Sequence, residues 1–199
     1  MNDGRLIAPR FLVALVLSIV CFAAPVWADF KAGEEAYRRG DYATALHEWQ
    51  PQAERGHADA QYHLGLLYAN GQGVPKDDVQ AWQWYEKAAV QGHAEAQANL
   101  GILYDYGRGV QQDFKVAVYW LRLSAKQGND SAQRRLGFMY ERGAGVQQDY
   151  VQAYMWYNLG TANGAKTGAL RRDALAKRMT PEQIAEAQQL VREWKPIQK

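Results

Sequence analysis

The chain of 199 residues holds a single cysteine, Cys21, and beyond residue 28 only two serines, Ser124 and Ser131. One cysteine cannot close an internal disulfide, so packing alone must hold the fold, which a chain of this size can manage. Three positions after those serines stand Gln127 and Arg134, so the Ser-x-x-Lys arrangement of penicillin-recognising enzymes is absent. An excess of one charge is missing too. The balance is 23 Lys and Arg against 21 Asp and Glu, and binding to nucleic acid would want a concentrated basic face. The six prolines are scattered and no Pro/Ser-rich stretch divides the sequence, so it reads as one domain after its leader.

Long apolar runs are also lacking, with one exception from Phe11 to Ala24. Arg5 and Arg10 precede it, and Val26-Trp27-Ala28 follows with small residues at the −3 and −1 positions of a cleavage site. Residues 1–28 therefore read as a secretory signal cut after Ala28. The competing reading is a membrane anchor, but the run falls short of the roughly 20 residues of a spanning helix. Cys21 raises a lipid anchor, against which Val20 before it is larger than such a site usually has. No twin-arginine pair precedes the run, which points to export of the unfolded chain.

What the chain does have is a unit said three times. Ala60-Gln61, Leu64-Gly65 and Tyr68 recur as Ala96-Gln97, Leu100-Gly101 and Tyr104, then as Ala132-Gln133, Leu136-Gly137 and Tyr140. Gly71-Gln72-Gly73-Val74, Asp77, Ala81, Trp84 and Gly92 return at the same spacing of 36 residues, a period characteristic of stacked repeats. Ala60, Leu64, Leu67 and Tyr68 share one helical face, as do Ala81, Trp84, Tyr85, Ala88 and Ala89, so each unit predicts two helices around a glycine turn. Gly65 and its equivalents lie inside the first helix at roughly 0.5–1 kcal/mol each relative to alanine, which suggests that a neighbouring helix needs the space. Gly71 suits a left-handed helix end, and Asp77, Asp113 and Asp149 suit N-caps, with Gln80 and Gln152 placed to complete capping boxes.

The A-Q-x-x-L-G-x-x-Y run, the G-x-G-V-x-x-D turn and the A-x-x-W-Y/L-x-x-A-A-x-x-G helix resemble the sel-1-like repeat, a relative of the tetratricopeptide repeat. The resemblance implies an all-α fold: an α/α solenoid of helix hairpins with a C-terminal capping helix. Residues 29–56 form a shorter tetratricopeptide-like opening unit, with Gly40-Asp41-Tyr42, Ala45 and Gly56 on the slots of Asp77, Ala81 and Gly92. Full units are expected at 57–92, 93–128 and 129–164, and 165–199 as a degenerate cap. There Lys166–Arg178 predicts one helix. Thr180-Pro181-Glu182-Gln183 starts another, whose apolar stripe is Ile184, Ala187, Val191 and Trp194.

The histidines His57 and His93 occupy one slot, followed by Asn129, and read as helix-entry residues. Equivalent slots on packed helices lie too far apart to share a metal ion. The G-x-G turns follow a helix and not a strand, so a dinucleotide reading fails on context. No cofactor or metal is expected. Paired carboxylates such as Glu34-Glu35 and Asp77-Asp78 suit helix surfaces and starts.

Solenoids present an extended concave face, which the resemblance to tetratricopeptide repeats implies is lined by the first helices. The slots facing outward from it, where a partner would bind, are those that differ between units. They are Asp59, Tyr62, His63, Leu66 and Asn70; then Glu95, Asn99, Ile102 and Tyr106; then Ser131, Arg134, Arg135, Phe138 and Arg142. Tyr62, His63, Leu66, Asn99, Ile102, Arg134, Arg135 and Phe138 are the candidate contacts. Leu66, Ile102 and Phe138 form an apolar row with arginines at one end, suited to an extended or helical peptide with an acidic patch. The other reading has this row packing against the next unit. A further basic cluster, Lys166, Arg171, Arg172, Lys177 and Arg178, could meet anionic lipid or form a solvated helix face.

The expectation is a non-catalytic adaptor of the bacterial envelope, periplasmic or secreted, holding a protein or peptide. Nucleic acid is not an expected partner, and the membrane is one only if the leader is kept as an anchor. From another class comes an envelope hydrolase or β-lactam-interacting enzyme, as reported for cysteine-rich sel-1-like proteins. Their regular disulfide pairs are absent here.

Overall fold

A computed structural model describes residues 26–161 and 166–197; the apolar leader lies outside them. The described residues form ten helices and no strand: α1 (Val26–Arg38), α2 (Tyr42–Glu54), α3 (Ala58–Asn70), α4 (Asp78–Val90), α5 (Ala94–Tyr106), α6 (Phe114–Lys126), α7 (Asp130–Arg142), α8 (Tyr150–Leu159), α9 (Lys166–Ala176) and α10 (Pro181–Glu193). Consecutive helices from α1 to α9 pack in sequence, each against the one before and the one after, as an α/α solenoid does. α1 passes through the expected cleavage position after Ala28.

Each hairpin closes because one helix lacks a side chain where the other has a large one. A Cβ on Gly101 would lie 2.8 Å from Leu121 Cγ and 3.1 Å from the Ala117 carbonyl oxygen. Gly137 meets the Tyr157 ring in the same way, and Gly65 meets Tyr85. Gly33 stands against Trp49 in the opening hairpin, so its closure follows the same rule. Trp49, Tyr85, Leu121 and Tyr157 are one slot of the repeat, and all four are buried. Leu67, Leu103, Met139 and Leu175 form a second buried slot, which carries the repeat register into α9.

The turns are fixed by backbone chemistry. Gly71, Gly107 and Gly143 end α3, α5 and α7 with φ of 67°, 65° and 67°, a left-handed conformation that favours glycine. Asp77 and Asp113 then cap α4 and α6, each accepting two backbone N–H bonds, and Asp149 caps α8 by accepting from Gln152 N. These aspartates cap alone, without the return bond expected from Gln80 and Gln152. The reciprocal box forms at Thr180 and Gln183, at the start of α10. His57, His93 and Asn129 are the N-caps of α3, α5 and α7, with His93 Nδ1 and Asn129 Oδ1 accepting backbone N–H bonds.

The recurrent Ala-Gln pair has a further role. Gln61, Gln97 and Gln133 are buried, and their amides donate to the carbonyls of Ala53, Ala89 and Ala125 at 3.0–3.1 Å. Gln91 donates to Gln61 Oε1 at 2.7 Å, and Gln127 donates to Gln97 Oε1 at 2.8 Å. This ladder ties α3 and α5 to the second helices on both sides of them, and α7 to the helix before it. Such bonds satisfy polar groups that burial would otherwise penalise.

The end departs from the hairpin rule. α10 packs on α8 instead of stacking beyond α9. Its Leu190, Val191 and Trp194 pack against the core cluster that contains Met155 and Trp156, and Ile197 N donates to the Lys126 carbonyl at 2.8 Å. Trp84, assigned to the apolar face of α4, is only half-buried, with Lys87 Nζ 3.9 Å above its ring.

Candidate binding groove

The first helices of the hairpins, α3, α5, α7 and α9, stand side by side and carry the variable slots. Two adjoining depressions open among them. The first, about 190 Å³, is lined by Leu66, Ala69, Asn70, Asn99, Ile102 and Leu103, with Tyr85 and Arg108 at its walls. The second, about 210 Å³, takes Ile102, Tyr106, Ser131, Arg134, Arg135 and Phe138, and also Thr167, Gly168 and Arg171 from α9. Ile102 lines both. The row Leu66, Ile102 and Phe138 is half-buried: it also packs on the clusters beneath, so neither the groove nor the packing reading describes it alone.

Tyr62 and His63 lie elsewhere on that face. His63 stacks on Trp49 at 4.3 Å between ring centroids, with Phe30 and Tyr37 nearby, and Tyr62 stacks on His93 at 4.6 Å. Burial among these rings, and after it the charge of His93, pulls the His63 pKa down to about 4. His93 sits 3.3 Å from Asp59 and 3.4 Å from Glu95. Among the described residues no group of three His, Cys, Asp or Glu side chains is placed to hold a metal ion.

The second depression is cationic around an aromatic ring. The guanidinium of Arg135 lies 4.8 Å from the Phe138 centroid, that of Arg171 5.1 Å and that of Arg142 5.4 Å. Arg135 also covers the Tyr106 ring at 4.6 Å and donates to its hydroxyl at 2.9 Å. Asp105, buried at 3% exposure, is the ion partner of Arg135. Burial, and then the like charge of Arg171, lowers the Arg135 pKa from the ordinary arginine value. Arg134 is partly committed, donating to the Gly160 carbonyl at 3.1 Å.

Thr167 and Arg171 fall 36 residues after Ser131 and Arg135, so α9 supplies the next copy of the same slots. Fading of the other repeat residues hid this, because Gly168 and Asp173 replace the alanine and glycine that mark a first helix. The basic cluster proposed for the tail is dispersed. Arg171 faces the groove, Arg172 pairs with Asp173 and donates to Asn158, and Arg178 pairs with Glu141 and reaches Tyr150. The side chain of Lys166 is outside the described residues.

The two serines are not arranged for attack. Ser124 is fully buried and donates to the Ala94 carbonyl at 2.6 Å, and Ser131 lies exposed at the groove. The carboxylate of Asp78 is engaged by Arg108 of the following unit at 2.8 Å, which lowers its pKa.

The fold and groove define an α/α-solenoid repeat protein. The Sel1 repeat family model matches residues 58–93, 94–129 and 130–164, more than half of the chain, and the protein belongs to that family. A Sel1 repeat protein from Oxalobacter formigenes is 34% identical over 72% of this chain and 59% of its own, with a TM-score of 0.67. A protective antigen of uropathogenic Escherichia coli displaying an SLR fold is 31% identical over 85% of this chain and 45% of its own, with a TM-score of 0.52. A protein named exopolysaccharide production negative regulator, from Rhizobium leguminosarum bv. viciae, is 37% identical over 60 residues, 30% of this chain and 22% of that protein. The chain thus spans less than two thirds of these relatives.

Proposed function

We propose that this protein is a non-catalytic adaptor of the bacterial envelope that holds a protein or peptide in the groove of α3, α5, α7 and α9. The observation carrying the reading is a division of labour within the repeat. Slots that build the solenoid recur, whereas many of those that differ between units, among them Asn70, Asn99, Ser131, Arg134 and Arg135, line two adjoining depressions. The rhizobial relatives are named for negative regulation of exopolysaccharide production, which supports seeking the partner first among proteins of that process. The leader-like sequence of residues 1–28 supports an exported location.

Affinity capture from a periplasmic extract, followed by mass spectrometry, tests this. Phe138→Asp should deplete a specific set of captured proteins while the helical circular dichroism signal stays unchanged. Retention of the full set by a folded Phe138→Asp protein would sink the groove assignment. Turnover of a chromogenic β-lactam by the pure protein would overturn the non-catalytic reading.

A further inference from the structure

The groove is cationic at one end and apolar at the other. At the α7–α9 end, Arg135, Arg142 and Arg171 surround one phenyl ring, and Asp105 faces Arg135 alone from beneath. Neither Arg142 nor Arg171 has an ion-pair partner among the described residues. Like charges gathered over an apolar ring repel one another, and an anion placed between them relieves that repulsion. On α3 and α5 the slot of Ser131 and Thr167 holds Asp59 and Glu95, which lie outside both depressions beside His93. The α3–α5 end is instead the apolar stretch of Leu66, Ala69 and Ile102, with Arg108 at its wall.

This arrangement selects against a uniformly charged polymer. An anionic glycan, a nucleic acid or an anionic membrane would gain at the arginines but has no apolar group to set against Leu66, Ala69 and Ile102. A peptide can carry carboxylates on one stretch and an apolar side chain on the next. We propose that the groove binds a peptide segment in one direction, with paired carboxylates over Phe138 between Arg171 and Arg142 and an apolar side chain between Leu66 and Ile102. Arg135, held by Asp105 and Tyr106, positions the ring and the charge around it. The site is completed by α9, outside the three matched repeats. This inference rests on the groove reading and adds to it the chemistry and orientation of the partner.

The test is fluorescence anisotropy with a labelled peptide carrying leucines in its middle and a pair of glutamates at one end. A second probe has both glutamates replaced by glutamine. The glutamate probe should bind more tightly, by about tenfold for two charge-assisted contacts. Arg171→Glu should remove that preference, Arg142→Glu should reduce it, and Lys115→Glu on α6 should leave it alone. Circular dichroism checks that each variant folds, and Arg171→Gln replaces the reversal if that variant does not. Equal binding of the two probes, no binding of the glutamate probe, or displacement of it by polygalacturonate or by anionic vesicles overturns the inference. Ile102→Asp separates the two levels. If it weakens both probes while they bind equally, the groove stands and the charge rule falls; if it weakens neither, both fall.

Discussion

At the scale of residues, buried polar and aromatic groups are placed by what surrounds them. His63 is the clearest case, since the rings of Trp49, Phe30 and Tyr37 leave its imidazole little water. Its pKa of about 4 in the folded protein lies below the ordinary value of 6.5 expected on unfolding. Between those values the unfolded chain binds a proton that the folded one refuses. Stability is therefore full above about pH 6.5 and falls as pH drops towards 4. His63→Phe keeps a ring on Trp49 and removes the titration. Urea unfolding followed between pH 7 and about 4 should show a shallower loss of stability in that variant. Parallel curves for both proteins would show that other groups carry the acid sensitivity.

At the scale of elements, α10 is the piece that departs from the repeat. Its stripe of Ile184, Ala187, Leu190, Val191 and Trp194 covers the apolar residues of α8, which a further hairpin would otherwise have to bury. Trp194→Ala should cost about 1–3 kcal/mol, less than a fully buried tryptophan because the side chain is only half-buried. Thermal unfolding measures the loss, and increased binding of an apolar dye at unchanged helical content would show exposure of Trp156. A melting temperature equal to that of the parent would mean that α10 is a loose appendage. The stripe and the Thr180 cap were legible in the sequence, because both depend on local spacing. The partner of α10 was not, because nothing local says whether a helix stacks beyond α9 or turns back onto α8. The groove was legible to the same degree. Variable slots identified Leu66, Ile102 and Phe138, but Tyr62 and His63 lie among aromatic neighbours contributed by α1, α2 and the entry to α5. Arg171 was read as part of a basic cluster of the tail and not of the groove, because α9 keeps the repeat register through Leu175 while losing the residues that announce it.

At the scale of the whole molecule, the solenoid is a row in which each unit touches only its neighbours, so its shape depends on the bonds between units. Gln97 lies at the centre of that row, donating to the Ala89 carbonyl of the preceding unit and accepting from Gln127 at the end of its own. Leucine would fill a similar space but leave the Gln127 amide with one acceptor fewer, at a cost of about 1–3 kcal/mol. In a one-dimensional array that loss falls on the junction and not on the chain as a whole. Hydrogen exchange should therefore show α1–α4 losing protection ahead of α7–α10 in Gln97→Leu, with α5 at the boundary. An even loss across all helices would mean that the molecule folds as a single cooperative body and that the ladder does not mark its joints. The same substitution bears on recognition, because Ile102, where the two depressions meet, is on α5 with Gln97. Capture of partners should weaken in Gln97→Leu although the residue is buried away from any ligand, since apolar and charged halves of the groove bind together only while adjoining units hold their register.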